Sequence, residues 1–120
     1  MEMRTYLLGL YEKSMPNELS WVEKLLAAKK AGFDYVEMSV DETEEKLARL
    51  EMRPGQLSEL RAAMLSTGMP IRSICLSGHR KFPLGCPDIG KQQRSLEIME
   101  KAVRLAAALG VRVIQLAGYD

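Results

Sequence analysis

Three segments of this chain follow one plan. AAKKAGFDYVEM, AAMLSTGMPIRSI and AAALGVRVIQL each run from alanines at a helix end, through a glycine, into a short apolar strand. The glycines are Gly32, Gly68 and Gly110, spaced 36 and 42 residues apart. Glycine ends a helix because it adopts the left-handed cap without steric cost. Helix-then-strand units of this length cannot be hairpins. They predict parallel strands joined by right-handed helical crossovers, hence an α/β fold.

The elements can be placed along the chain. Strands are expected at Tyr6–Tyr11, Tyr35–Val40, Ile71–Ser77 and Val111–Ala117. Ser20, with Glu23 three residues on, is a capping box that opens the first helix. Its expected inward stripe is Trp21, Val22, Leu25, Leu26 and Ala28. Asp41 with Glu44 gives a second capping signal, for a short charged helix from about Glu42 to Leu50. The run Asp41 to Lys46 reads as a solvated helix face. Pro54 suits the first turn of a helix ending near Thr67. A long helix is expected over Lys91–Leu109, with Leu96, Met99, Ala102, Val103 and Ala106 inward. The segment Gly78–Gly90 is rich in glycine and proline and is expected to be irregular.

Four strands and three crossovers fit half of a (β/α)8 barrel or a small doubly wound sheet. YEKSMPNE, after the first strand, lacks the glycine-rich turn usual in doubly wound nucleotide folds. The later strands also have two distinct phases. Val36, Met38, Ile74, Leu76, Ile114 and Leu116 suit packing against helices. Glu37, Ser39, Cys75, Ser77 and Gln115 make the opposite phase polar towards the strand C-termini, where barrel active sites lie. A half barrel is therefore expected: sheet order 1-2-3-4, helices on one side, and Glu37, Ser77 and Gln115 sharing the other.

A carboxylate, hydroxyls and an amide on that face suit a sugar-like ligand. The loop after the third strand adds His79, the chain's single histidine, beside Arg80 and Lys81. His79 reads either as a substrate contact or as a loop histidine that caps backbone or faces water. Arg80 and Lys81 read either as a phosphate attractor or as a solvated loop. Glu37 reads as a ligand contact or as one partner of a salt bridge inside the barrel. No Cys/His cluster shows metal-ligand spacing, so no metal is expected on this chain alone.

Composition narrows the partners. Seventeen basic and 16 acidic residues give a net charge of +1, with no reason to expect nucleic acid or an acidic membrane. No apolar run approaches the roughly 18 residues of a membrane span. MEMRTYLLGLYEK lacks a signal-peptide core. Cys75 and Cys86 are expected as free thiols, and the protein as cytoplasmic.

GLYEK, GFDYVEMSVDE, CLSGHRKFPLG, LEIMEKAVRLAAALG and IQLAGYD resemble the N-terminal half of the L-ribulose-5-phosphate (L-xylulose-5-phosphate) 3-epimerases. These were formerly labelled hexulose-6-phosphate isomerases and belong to the xylose-isomerase-like TIM barrels. The resemblance runs through nearly all of residues 1–120, read as one half-barrel domain. It implies a sugar-phosphate epimerase of pentose or ascorbate catabolism. In that family a divalent metal holds the substrate oxygens, and two carboxylates move a proton at the carbon beside the carbonyl. The ligands and the proton-moving glutamate come from strands five to eight, which have no counterpart here. The matching positions are substrate-side: Glu37, Ser39, Ser77 to Arg80, and Gln115 to Tyr119. No catalytic residue is assigned to this chain, and 1–120 alone is expected to be inactive. A non-catalytic half-barrel binding or assembly unit is the alternative, and a related barrel acting on another substrate is a third reading. An open half barrel would expose Tyr6, Leu8 and Leu10, or Leu7 and Tyr11, together with Val111 and Val113, so a homo-oligomer is expected.

Overall fold

In the computed structural model, which describes residues 4–116, the elements alternate as the repeat requires. They are β1 Gly9–Tyr11, α1 Trp21–Lys30, β2 Tyr35–Val40, α2 Glu44–Leu47, α3 Pro54–Thr67, β3 Ile71–Leu76, α4 Ile89–Leu109 and β4 Val113–Leu116. Short 3-10 turns occupy Glu12–Ser14, Ala48–Glu51 and Gly78–Arg80. The Ser20 box forms as the sequence predicts: its Oγ accepts from the Glu23 N–H at 3.2 Å, and Glu23 Oε1 accepts from the Ser20 N–H at 2.9 Å. Gly68 and Gly110 close α3 and α4 with φ of 70° and 72°, the left-handed conformation that favours glycine.

The four strands form one parallel sheet in the order β1-β2-β3-β4. Val36, Met38, Val40, Ile74 and Leu76 are fully buried, in one core with Leu25 and Ala28 of α1, Leu60 and Ala63 of α3, and Ile98 and Ala102 of α4. One strand phase therefore carries the helices, and the other forms the inner face. Sequential order with a single helical layer is the half-barrel arrangement; a doubly wound sheet has helices on both faces.

Several local expectations are corrected. β1 begins at Gly9, not Tyr6, and β3 ends at Leu76. Ala117 lies outside the described residues. Thr43, not Asp41, caps α2, its Oγ1 accepting from the Lys46 N–H. Asp41 instead accepts from the Thr43 backbone and hydroxyl and pairs with Lys13 at 2.9 Å. Asp41 and Lys46 are buried while Thr43, Glu44 and Glu45 are exposed, so only the middle of this run is a solvated face. α4 starts at Ile89, two residues early, because Asp88 Oδ1 accepts from the Lys91 N–H. Leu10, exposed in one of the two phases expected for the first strand, packs against the core, and Val111, expected at an open edge, is buried. Leu116, expected against the helices, ends an edge strand and is exposed.

The stripe on α4 is rotated from the one expected. Ile98, Ala102, Leu105, Ala106 and Leu109 face inward, while Leu96 is 63% and Val103 50% exposed. Arg61 reaches the Ala108 carbonyl and Lys101 pairs with Glu51, so 101 and 108 mark the flank beside α3. At about 100° per residue, Leu96 and Val103 fall on the opposite flank, where no described helix packs. Val22 and Leu26 of α1 are likewise exposed. Apolar periodicity finds a helix but cannot separate its core face from a flank that a further helix would cover.

Candidate functional site

The inner face takes its polarity from alternation within β2, β3 and β4. Ser73 Oγ donates to Glu37 Oε2 at 2.6 Å. The two are register partners across β2 and β3, and Val113 follows Ser73 on β4. One step further on, Ser39, Cys75 and Gln115 are aligned. The Tyr11 hydroxyl donates to Ser39 Oγ at 3.3 Å. Burial pushes the Tyr11 phenol up, and the Cys75 thiol beside it adds to this against the Ser39 hydrogen bond. An open hollow of about 480 Å³ lies on this face, lined by residues including Glu37, Ser73, Arg72 and Gln115. A carboxylate, a hydroxyl and an amide converge there, able to accept from and donate to a polyhydroxylated ligand.

Glu37 and Gln115 thus share one hollow, as alternation predicts. Ser77 does not join them. The strand has ended, and Ser77 leaves extended geometry at φ −105°, ψ 6°. It is buried, its N–H donates to the Val40 carbonyl at 2.9 Å, and its Oγ has no partner among the described residues. His79 is also buried, its Nε2 3.0 Å from the Ser95 carbonyl of α4. That is the backbone-capping geometry, and it fixes the Gly78–Arg80 turn to α4. Arg80 is exposed on the same turn, 3.7 Å from Glu42. Lys81 lies over the Phe82 ring at 5.6 Å. Tyr119 is outside the described residues.

A second polar centre was not expected from sequence. Glu12, directly after β1, is buried and accepts from three cations. Arg49 holds both carboxylate oxygens, Lys24 Nζ lies at 2.5 Å and Lys46 Nζ at 3.2 Å. Glu12 Oε1 also accepts from the Ser39 N–H, while Arg49 donates to the Ser39 carbonyl. Lys24 and Arg49 stand over the Trp21 ring at 5.0 and 4.9 Å. Burial alone would raise the Glu12 carboxyl. The Arg49 fork and charge, with Lys24 and the Ser39 amide, outweigh it and hold the pKa at about 2. The node ties the C-terminal ends of β1 and β2 to α1 and α2, which keeps Ser39 and the polar inner face in place. One signal was available in the sequence: Lys24 lies inside the apolar stripe of α1, between Trp21 and Leu25.

Among the described residues, no group of three or more His, Cys, Asp or Glu is placed to hold a metal ion. Glu37 already accepts from Ser73, and His79 is turned to α4. This donor set does not fit a divalent-metal centre. Cys75 and Cys86 carry free thiols. No helix of the described residues is long and apolar enough to cross a membrane.

Residues 25–120 match the profile of the xylose isomerase-like TIM barrel. The chain belongs to that family. It is 56% identical over 118 residues to SgbU, a proposed L-ribulose-5-phosphate 3-epimerase of Escherichia coli (strain K12), a match covering 98% of this chain and 41% of that protein. It is 52% identical over 113 residues to the L-ribulose-5-phosphate 3-epimerase UlaE of Escherichia coli (strain SMS-3-5 / SECEC), covering 94% and 40%. The chain thus spans about two fifths of the length of these relatives. Among solved structures, a D-psicose 3-epimerase in the presence of D-fructose superposes with a TM-score of 0.73 at 16% identity, over 92% of this chain and 36% of that one. A D-allulose 3-epimerase from Methylomonas sp., in complex with D-allulose, gives 0.70 at 17% identity, with the same coverage of each chain. At these identities the superpositions carry the fold, and the fold is that of part of a larger barrel.

Proposed function

We propose that this chain supplies the substrate-side wall of a sugar-phosphate 3-epimerase that interconverts L-ribulose 5-phosphate and L-xylulose 5-phosphate. The observation that carries the reading is the Glu37–Ser73 pair opening, with Gln115, onto one inner-face hollow. Glu37 and Gln115 bind sugar hydroxyls. Arg80, the exposed residue of the turn beyond β3, meets the phosphate as a planar fork. Ser77 and His79 act on substrate indirectly, by holding that turn against the sheet end and α4. The similarity to UlaE and SgbU supports the substrate class and a role in pentose or ascorbate breakdown in the cytoplasm.

The wall does not contain the chemistry. Epimerisation needs an acid and a base on opposite sides of one carbon. Glu37 is one carboxylate, and no described second group faces it. Those groups, and the ligands of the family's metal, belong to the rest of a complete barrel. The test is Glu37→Gln in a barrel completed with the later units of a UlaE-like relative. The variant should lose roughly 10- to 100-fold in kcat/KM for L-xylulose 5-phosphate while staying folded. Unchanged kcat/KM would remove Glu37 from the wall.

A further inference from the structure

We infer that two copies of this chain close one eight-stranded barrel, the β1 edge of each meeting the β4 edge of the other. This rests on the fold and not on the epimerase reading. The first observation is surface. The chain exposes 7610 Å², whereas a folded monomer of 13.5 kDa exposes roughly 6,500 Å². The surplus, about 1,100 Å², exceeds the roughly 800 Å² that each partner buries in a standard stable interface.

The second observation is where that surface lies. Leu7 and Leu8 are exposed beside the β1 edge, and Val113 and Leu116 on β4. Ile89, Leu96 and Val103 repeat every seven residues along α4, and all three are exposed. Leu96 and Val103 lie on the flank away from α3. Strand edge and helix flank together form an apolar border of the kind rarely left open to water. A net charge of +1 sets little repulsion between copies.

The third observation is symmetry. All strands are parallel and in sequential order, with one helical layer. A twofold axis along the barrel axis keeps strand direction, so β4 meets the partner's β1 in parallel at both seams. The seams are identical, helices stay outside, and assembly closes at two copies. The polar hollow at Glu37, an open groove in one copy, becomes an enclosed lumen lined by both.

Light scattering on the size-separated chain at micromolar concentration tests this. The expected mass is twice 13.5 kDa. Val113→Lys and Leu7→Glu each place a charge at one edge, on the inner face that both residues line, and should each weaken the dimer at least tenfold. Both positions are exposed, and circular dichroism checks that each variant is folded. Mixing the two variants should restore a dimer, because one seam then pairs Lys with Glu and the other is unaltered. A monodisperse monomer would overturn the proposal, as would open-ended polymers. So would a dimer indifferent to both edge variants but broken by Leu96→Asp, which would be a helix-face contact. A chain that stays monomeric alone and binds only the later half of a relative's barrel would also overturn it.

Discussion

Arg49 holds both carboxylate oxygens of Glu12, with its second nitrogen 2.6 Å from Oε2. The pair joins the turn after β1 to the turn after α2. Because Lys24 and Lys46 share the same carboxylate, Glu12 is, among the described residues, the single anion facing three cations at this buried centre. The inner-face position of Ser39 depends on it, since Glu12 and Arg49 take its two backbone groups.

Removing that anion should be costly. Glu12→Gln keeps the shape but leaves three cations without a countercharge. Breaking a buried ion pair from one side costs about 3–5 kcal/mol. Urea unfolding of the variant should show a loss of that size. A loss below about 1 kcal/mol, the range of exposed pairs, would mean that water screens the node.

Acid should act through the same residue. The folded pKa of Glu12 is about 2, below its ordinary 4.5. As pH falls below 4.5, the unfolded chain takes up this proton before the folded one does. The node's contribution is therefore complete above about pH 4.5 and is lost progressively towards pH 2. Asp41 adds to the trend: against its burial, Thr43 and Lys13 hold it below its ordinary value. Urea midpoints measured from pH 6 to pH 2 should fall for the parent chain and fall less steeply for Glu12→Gln. Parallel curves would contradict the assignment to Glu12.

The two apolar rows of α4 should respond differently. Ile98 is fully buried, so Ile98→Ala should cost about 2–5 kcal/mol by loss of transfer energy and cavity formation. Leu96→Ala, on the exposed flank, should change the stability of the dissociated chain by less than about 0.5 kcal/mol. Denaturation at a concentration where the chain is monomeric makes the comparison. Equal costs would return Leu96 to the core.

The Ser73–Glu37 bond has a separate signature. Ser73→Ala removes one hydrogen bond to a charged group, worth about 1.5–3 kcal/mol where water does not replace it. Glu37 is only half-buried, so the lower end of that range is expected in thermal unfolding. A cost above 3 kcal/mol would mean that the carboxylate has no access to water.

The fold was legible because each unit repeats its own stop signal. Gly68 and Gly110 end helices in the left-handed conformation, and the strands that follow carry clear phases. Alternation gave Glu37 and Gln115 their shared face. It failed at Ser77, because a strand's end is decided by the turn after it. The Glu12 node was hidden because its partners come from α1, α2 and the turn after α2, and no local pattern joins them. Burial of His79 was hidden for the same reason: its partner is the backbone of α4. On α4, sequence showed two apolar rows, and only packing against α3 decides which one is core.

The central claim is that this chain carries a substrate wall without the catalytic pair. Turnover of L-xylulose 5-phosphate, with divalent metal supplied, tests it most directly. The purified 120-residue chain, free of host epimerase, should give no rate above background, and the barrel completed with the later units of a UlaE-like relative should turn over. Metal-dependent turnover by the 120-residue chain alone would contradict the account.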